Sequence, residues 1–150
     1  MDNLKDIVDS IKSKNLDEAL KQCEKQNNKG NDYLINNFKG VIYSLLNNQD
    51  LAEKFFKLSH NLNKNFEDPL KNLYVLSIKK KNFSDAIKFA NKLCDLNNSN
   101  DLFIYQLAYA YELSNKSFSA IEYYKKCLEL NGSNKLKALN NIGGIYIKNN

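Results

Sequence analysis

Several residue types are missing or nearly so, and each absence narrows what the chain can be. Arg and Trp are absent, there is one Pro and one His, and Gly occurs five times and Cys three times in 150 residues. So few Pro and Gly leave little turn chemistry for a sandwich or barrel, and favour helices joined by short polar breaks. His60 is the only histidine, so a His-based metal site or catalytic triad is poorly supplied. Cys23, Cys94 and Cys127 are odd in number and far apart in sequence. That argues against a disulfide framework and for inert thiols in a reducing compartment. Without Arg, the formal charge of +5 rests on Lys alone. Lys is a compact point charge that reads phosphates and base edges less specifically than Arg's planar fork. The lysines are also spread along the chain, which speaks against nucleic acid as a partner. The one dense run, Lys79-Lys80-Lys81, falls where a helix should end and where cations suit the helix dipole.

Long apolar runs are missing too. No stretch approaches the ~20 apolar residues that span a bilayer, and the N-terminus MDNLKDIVDSIKSKN has acids early and no apolar core of signal-peptide length. The expectation is a soluble, cytoplasmic protein without a membrane partner.

What is present is helical periodicity. Nine helices are expected, from Asp2–Lys14, Leu16–Lys25, Tyr33–Leu46, Leu51–Leu62, Leu70–Lys80, Phe83–Leu96, Leu102–Leu113, Phe118–Leu130 and Leu136–Lys148. Asn31 or Asp32 is available to cap the third, and Asp50 the fourth. Pro69 suits the first turn of the fifth, where its missing N–H costs nothing.

The helices repeat. Ala19, Ala52, Ala86 and Ala120 are spaced by 33, 34 and 34 residues, and Leu-Asn pairs recur at 62–63, 96–97 and 130–131. Tyr43, Tyr111 and Tyr146 share one helix position, held by Ser77 in the intervening copy. Gly40, Ala108 and Gly143 share another, three residues earlier. Helix pairs of fixed period cannot bury their apolar faces alone, so each pair needs the next and the fold is a solenoid.

The pattern resembles the tetratricopeptide repeat, with 34 residues, a helix A and a helix B, and small residues where they touch. The best copy, 101–134, has Leu107-Ala108, Tyr111, Ala120, Tyr124 and Cys127-Leu128 at the apolar and small positions. The copy at 67–100 departs from it, with Tyr74 and Ser77 where a small residue and a Tyr are usual. The resemblance implies an all-α, right-handed superhelix of antiparallel helix pairs in a single domain over 1–150. Its repeats would be near 1–32, 33–66, 67–100 and 101–134, with a half-repeat at 135–150.

Catalytic and cofactor patterns are lacking. There is no Gly-rich phosphate loop, and no CxxC, HExxH or GxSxG. Gly143-Gly144 lies in a helix pattern, where Gly143 reads as a helix-packing residue. The expectation is a binding protein, not an enzyme, with no metal and no cofactor. The resemblance places the binding surface on a concave groove lined by A helices. It implies Asn37, Lys71, Asn72, Lys79, Tyr105, Tyr109 and Asn140 as groove residues that hold a protein or peptide segment. Tyr105 and Tyr109, one helical turn apart, suit a binding hot spot, and packing between helices is the competing role. A carboxylate clamp of the chaperone-tail type is not expected, because Val75 and Gln106 stand where Asn residues belong.

Two alternatives follow from the ending ALNNIGGIYIKNN, which looks like a repeat cut short and should leave Ile142, Ile145 and Ile147 partly uncovered. The chain is then an N-terminal module of a larger enzyme, of glycosyltransferase or sulfotransferase type, that presents substrate. Otherwise it self-associates through the C-terminal helix.

Overall fold

A computed structural model describes residues 2–26, 30–130 and 132–149. Residues 27–29 of the expected turn NNKGND, Asn131 of the last Leu-Asn pair and Asn150 lie outside the described residues. Among the described residues there are nine helices and no strand. They are α1 (Asp2–Lys12), α2 (Leu16–Lys25), α3 (Asp32–Leu45), α4 (Gln49–Leu62), α5 (Asp68–Lys79), α6 (Phe83–Leu96), α7 (Asp101–Leu113), α8 (Ser117–Glu129) and α9 (Lys135–Asn149). They form two compact units, one ending at Leu73 and the other starting at Tyr74. In the first, α1 packs on α2, α2 on α3 and α3 on α4. In the second, α6 packs on α7, α7 on α8 and α8 on α9.

The turn inside each helix pair repeats as faithfully as the alanines do. Lys14, Asn47, Lys81 and Asn115 all have φ of 56–59°, again 33, 34 and 34 residues apart. In each turn the left-handed residue donates its N–H to the carbonyl three residues back. The next N–H reaches five back, as in Asn47 to Ser44 at 3.1 Å and Asn48 to Tyr43 at 2.8 Å. The same pair of bonds closes α1, α5 and α7, which is the Schellman ending of a helix. Gly usually takes the left-handed position; here Lys and Asn do.

The residue after that turn starts the next helix. Asn48 and Asn82 accept the N–H of Leu51 and Asp85, each at 3.2 Å. The cap of α4 is therefore Asn48 and not Asp50. The tight turn already brings Asn48's side chain to the first free N–H groups, and Asp50 is carried into the first helical turn.

Ala19, Ala52, Ala86 and Ala120 are wholly buried, which allows close helix approach. Larger residues exchange volume around them. Gly40 on α3 meets the ring of Phe56 on α4, where a Cβ would come within 2.5 Å of ring carbons. At the same register α7 and α8 carry buried Ala108 and Tyr124. On α5 and α6 the sizes are reversed, with Tyr74 on helix A and Ala90 on helix B, both buried. The departure of Tyr74 from the usual small residue is thus matched by Ala90 sixteen residues later. Aromatic stacking also repeats: Tyr43 on Phe55 with centroids 5.4 Å apart, and Tyr111 on Tyr123 at 5.4 Å. That stacking leaves Phe55 only half-buried. A third recurring contact runs from helix B to the start of helix A, where Ser59 Oγ donates to the Tyr33 carbonyl at 2.6 Å and Cys127 Sγ to that of Asp101 at 3.5 Å.

The chain leaving α8 is tied back to α7. Asp101 Oδ2 accepts from the Asn134 backbone N–H at 2.8 Å and from its Nδ2 at 3.1 Å. Gly132 passes so close that a Cβ there would run into the Asp101 carboxylate. Gly143 behaves otherwise than expected. A Cβ on it would meet nothing within 4 Å, so no helix among the described residues packs against it. Ile142 and Ile145 are buried, while Ile147 is 81% exposed. The uncovered side of α9 is therefore a different stripe from the one expected.

Candidate functional site

The residues expected to line a groove fall on A helices in both units, and each unit is described by itself. In the first unit, Asn37 on α3 is buried. Its Oδ1 accepts from Asn72 Nδ2 on α5 at 3.2 Å. One hydrogen bond thus joins the two amides, and Asn37 is turned away from solvent. Lys71, half-exposed beside them, contacts Glu67 Oε2 at 3.0 Å and Asp68 Oδ1 at 3.3 Å. Burial opposes its charge, but the hydrogen bonds and attraction of these two acids outweigh that and hold the ammonium pKa above its usual range. An anion from a ligand has to compete with both carboxylates.

The second unit holds the more built arrangement. Tyr105 and Tyr109 on α7 lie one turn apart with rings nearly parallel, at an angle of 5° and centroids 6.4 Å apart. Tyr105 also leans on Tyr124 of α8, at 5.5 Å. Tyr124 is fully buried, and its hydroxyl donates to Glu112 Oε2 at 2.6 Å. Asn141 on α9 completes the cluster. Its Nδ2 lies 2.6 Å from Tyr124 Oη, 3.1 Å from Glu112 Oε2 and 3.5 Å from Tyr105 Oη. Three helices thereby fix one aromatic platform. Burial pushes the Tyr124 hydroxyl pKa far up, and its bond to Glu112 adds to this. Tyr105 is raised mainly by burial as well. Tyr74, whose hydroxyl donates to the Gln106 carbonyl at 3.0 Å, is pushed up by the same cause.

Of the expected second-unit residues, Tyr105 and Tyr109 come together, while Lys79 and Asn140 are exposed outside this cluster. Asn141, the neighbour of Asn140, joins it instead. The resemblance implies Asn140 for this helix face; the rotation of α9 brings its neighbour to the cluster. Tyr105 packs on Tyr124, the competing role, while remaining half-exposed. The thiols are quiet, with Cys23 and Cys94 pushed up to about 11 by burial. Among the described residues, no three His, Cys, Asp or Glu side chains group as metal ligands. No helix among them is long and apolar enough to cross a membrane.

The tetratricopeptide repeat profile matches residues 103–134, within one unit of the 34-residue period. Solved structures extend the likeness to nearly the whole chain. A double mutant of MamA from strain RS-1 superposes with a TM-score of 0.82 at 16% identity, covering 99% of this chain and 83% of that one. MamA 41-end from Desulfovibrio magneticus RS-1 gives 0.81 at 16% identity, covering 98% and 83%. The first tetratricopeptide repeat domain of Spaghetti (RPAP3), solved bound to the HSP90 peptide SRMEEVD, gives 0.68 at 21% identity, covering 80% and 94%. No curated protein matches by sequence. At these identities the structural likeness speaks for the fold. Residues 103–134 match the tetratricopeptide repeat, and the nine described helices fit a fold of about four such repeats and a final helix.

Proposed function

We propose that the chain is a protein-interaction scaffold that acts by binding a protein or peptide segment and not by catalysis. The observation that carries this reading is the Tyr105–Tyr109 pair. Two stacked rings are half-exposed while Glu112, Tyr124 and Asn141 fix the ring nearer the core. Rigid, amphipathic aromatics give contact area at low entropic cost, which is what binding hot spots use. The relative solved with a bound peptide, the first domain of Spaghetti, lends support by analogy of fold. In the first unit, Asn72 and the acid-paired Lys71 supply polar contacts beside the same type of helix face. The high-pKa thiols of buried Cys23 and half-buried Cys94 fit the reducing cytoplasm, and the Lys-only charge, dispersed along the chain, leaves nucleic acid outside the reading.

The test is capture of partners from native lysate by wild type, Tyr109→Ala, and Tyr105→Ala with Tyr109→Ala. Tyr109→Ala removes the ring that does not lean on Tyr124, so helicity should be unchanged while capture falls. The double variant should abolish capture. Unchanged capture by the double variant would sink the reading.

A further inference from the structure

Tyr105 and Tyr109 belong to a longer stripe. Leu102, Tyr105, Tyr109 and Glu112 follow spacings of three, four and three residues, which sets them on one side of α7. Leu102 is 41% exposed at its start, and Glu112 is half-buried at its end. The A helices before and after α7 already touch it. Tyr74 of α5 reaches the Gln106 carbonyl, and Asn141 of α9 reaches Tyr105, Tyr124 and Glu112. What stays open is thus an inner stretch of the helix layer, not a bare edge.

The charge along this stripe has one sign. The chain has 22 basic residues, all Lys, yet α7 is the one described helix without any. The bonds from Tyr124 and Asn141 both fall on Oε2 of Glu112. Among the described residues, Oε1 accepts no hydrogen bond and no cation pairs with the carboxylate. Lys137, one turn before Asn141 on α9, donates instead to Asn134 Oδ1 at 3.3 Å. The carboxylate is close enough to Tyr105 that, after burial, its charge adds to the rise of that hydroxyl's pKa. Aromatic faces are themselves negative, so rings and carboxylate both favour a cation.

We propose that the stripe takes an extended, basic segment of a partner protein, with an arginine side chain laid on Tyr109 and directed to Glu112 Oε1, and an apolar residue at Leu102. This names the partner class for the scaffold reading above and rests on it. Arginine suits the site better than lysine, because its flat guanidinium covers a ring and still donates to a carboxylate. Leu102 and Glu112 are ten residues apart, about 15 Å along the helix. An extended chain covers that distance in about four or five residues, which sets the spacing of the two anchors.

The test is a displayed library of random linear peptides, panned on the full chain and counter-selected on Tyr105→Ala with Tyr109→Ala. Enriched peptides should carry Arg and an apolar residue about four or five positions apart. Anisotropy of one such peptide, labelled with fluorescein, should show binding that weakens with salt. Replacing its Arg by citrulline keeps the shape and loses the charge, and should weaken binding about tenfold. Glu112→Gln puts an amide NH2 in place of Oε1, while its carbonyl keeps the bonds from Tyr124 and Asn141. Thermal unfolding should be nearly unchanged, the arginine peptide should bind about tenfold more weakly, and the citrulline peptide should bind as before. If the tyrosine-dependent peptides are acidic or purely apolar, or if neither citrulline nor Glu112→Gln weakens binding, this inference falls and the scaffold reading stands. Peptides that ignore both tyrosines, or no peptides at all, also overturn it, and capture from lysate then decides the scaffold reading by itself.

Discussion

Gly40 and Phe56 are in contact across the α3–α4 pair with no room for a methyl group between them. Phe56 is only 2% exposed, so its ring has nowhere to retreat. Gly40→Ala should therefore destabilise the fold by about 1–3 kcal/mol through overpacking, despite the better helix propensity of Ala. Chemical denaturation measures this. Phe56→Leu in the Gly40→Ala background should recover part of the loss, because the two positions share one volume.

The left-handed residues of the turns make a prediction of opposite sign. Lys81 has φ of 56° and bears a Cβ that this conformation disfavours by roughly 1–2 kcal/mol. Lys81→Gly removes that strain but frees the unfolded chain, so a net gain of about 0.5–1 kcal/mol is expected. Lys81→Val should be clearly destabilising. A gain for Val equal to that for Gly would mean the turn does not hold its conformation in solution.

The buried tyrosines set an alkaline limit. The hydroxyl pKa values of Tyr74 and Tyr124 are raised by burial above the ordinary 10.0. In the unfolded chain they lose protons near 10.0, so their contribution to stability is fully present below that pH. It is lost as pH rises towards the folded values, because the unfolded state then binds fewer protons. Urea titrations at increasing pH should show stability falling above about pH 10. Tyr124→Phe should lower stability at neutral pH by roughly 1–3 kcal/mol, leaving Glu112 and Asn141 short of a partner, and should flatten the alkaline decline.

Much of this architecture is legible in the sequence because solenoid packing is written at fixed intervals. The four buried alanines, the helix positions and the pairing of α7 with α8 follow from period alone. Two kinds of information do not. The left-handed turns at Lys14, Asn47, Lys81 and Asn115 carry no Gly to mark them, although their spacing repeats that of the alanines. The rotation of each A helix about its axis is the second. The resemblance implies Asn37 and Asn140 for a groove, but it does not show that Asn37 turns inward to Asn72. Nor does it show that Asn141, and not Asn140, meets Tyr124. Gly143 illustrates the same limit, since its register says what should cover it and the structure leaves it bare.

The reversal of Tyr74 and Ala90 relative to Gly40 and Phe56 bears on how such a chain can be rearranged. A helix A moved alone into another repeat would bring two large rings together or leave two small residues facing a void. Moved with its own helix B, it carries its complement along. The indivisible module for recombination or design is therefore the helical hairpin from A through B, and 34-residue segments cut in any other phase should fail to interchange.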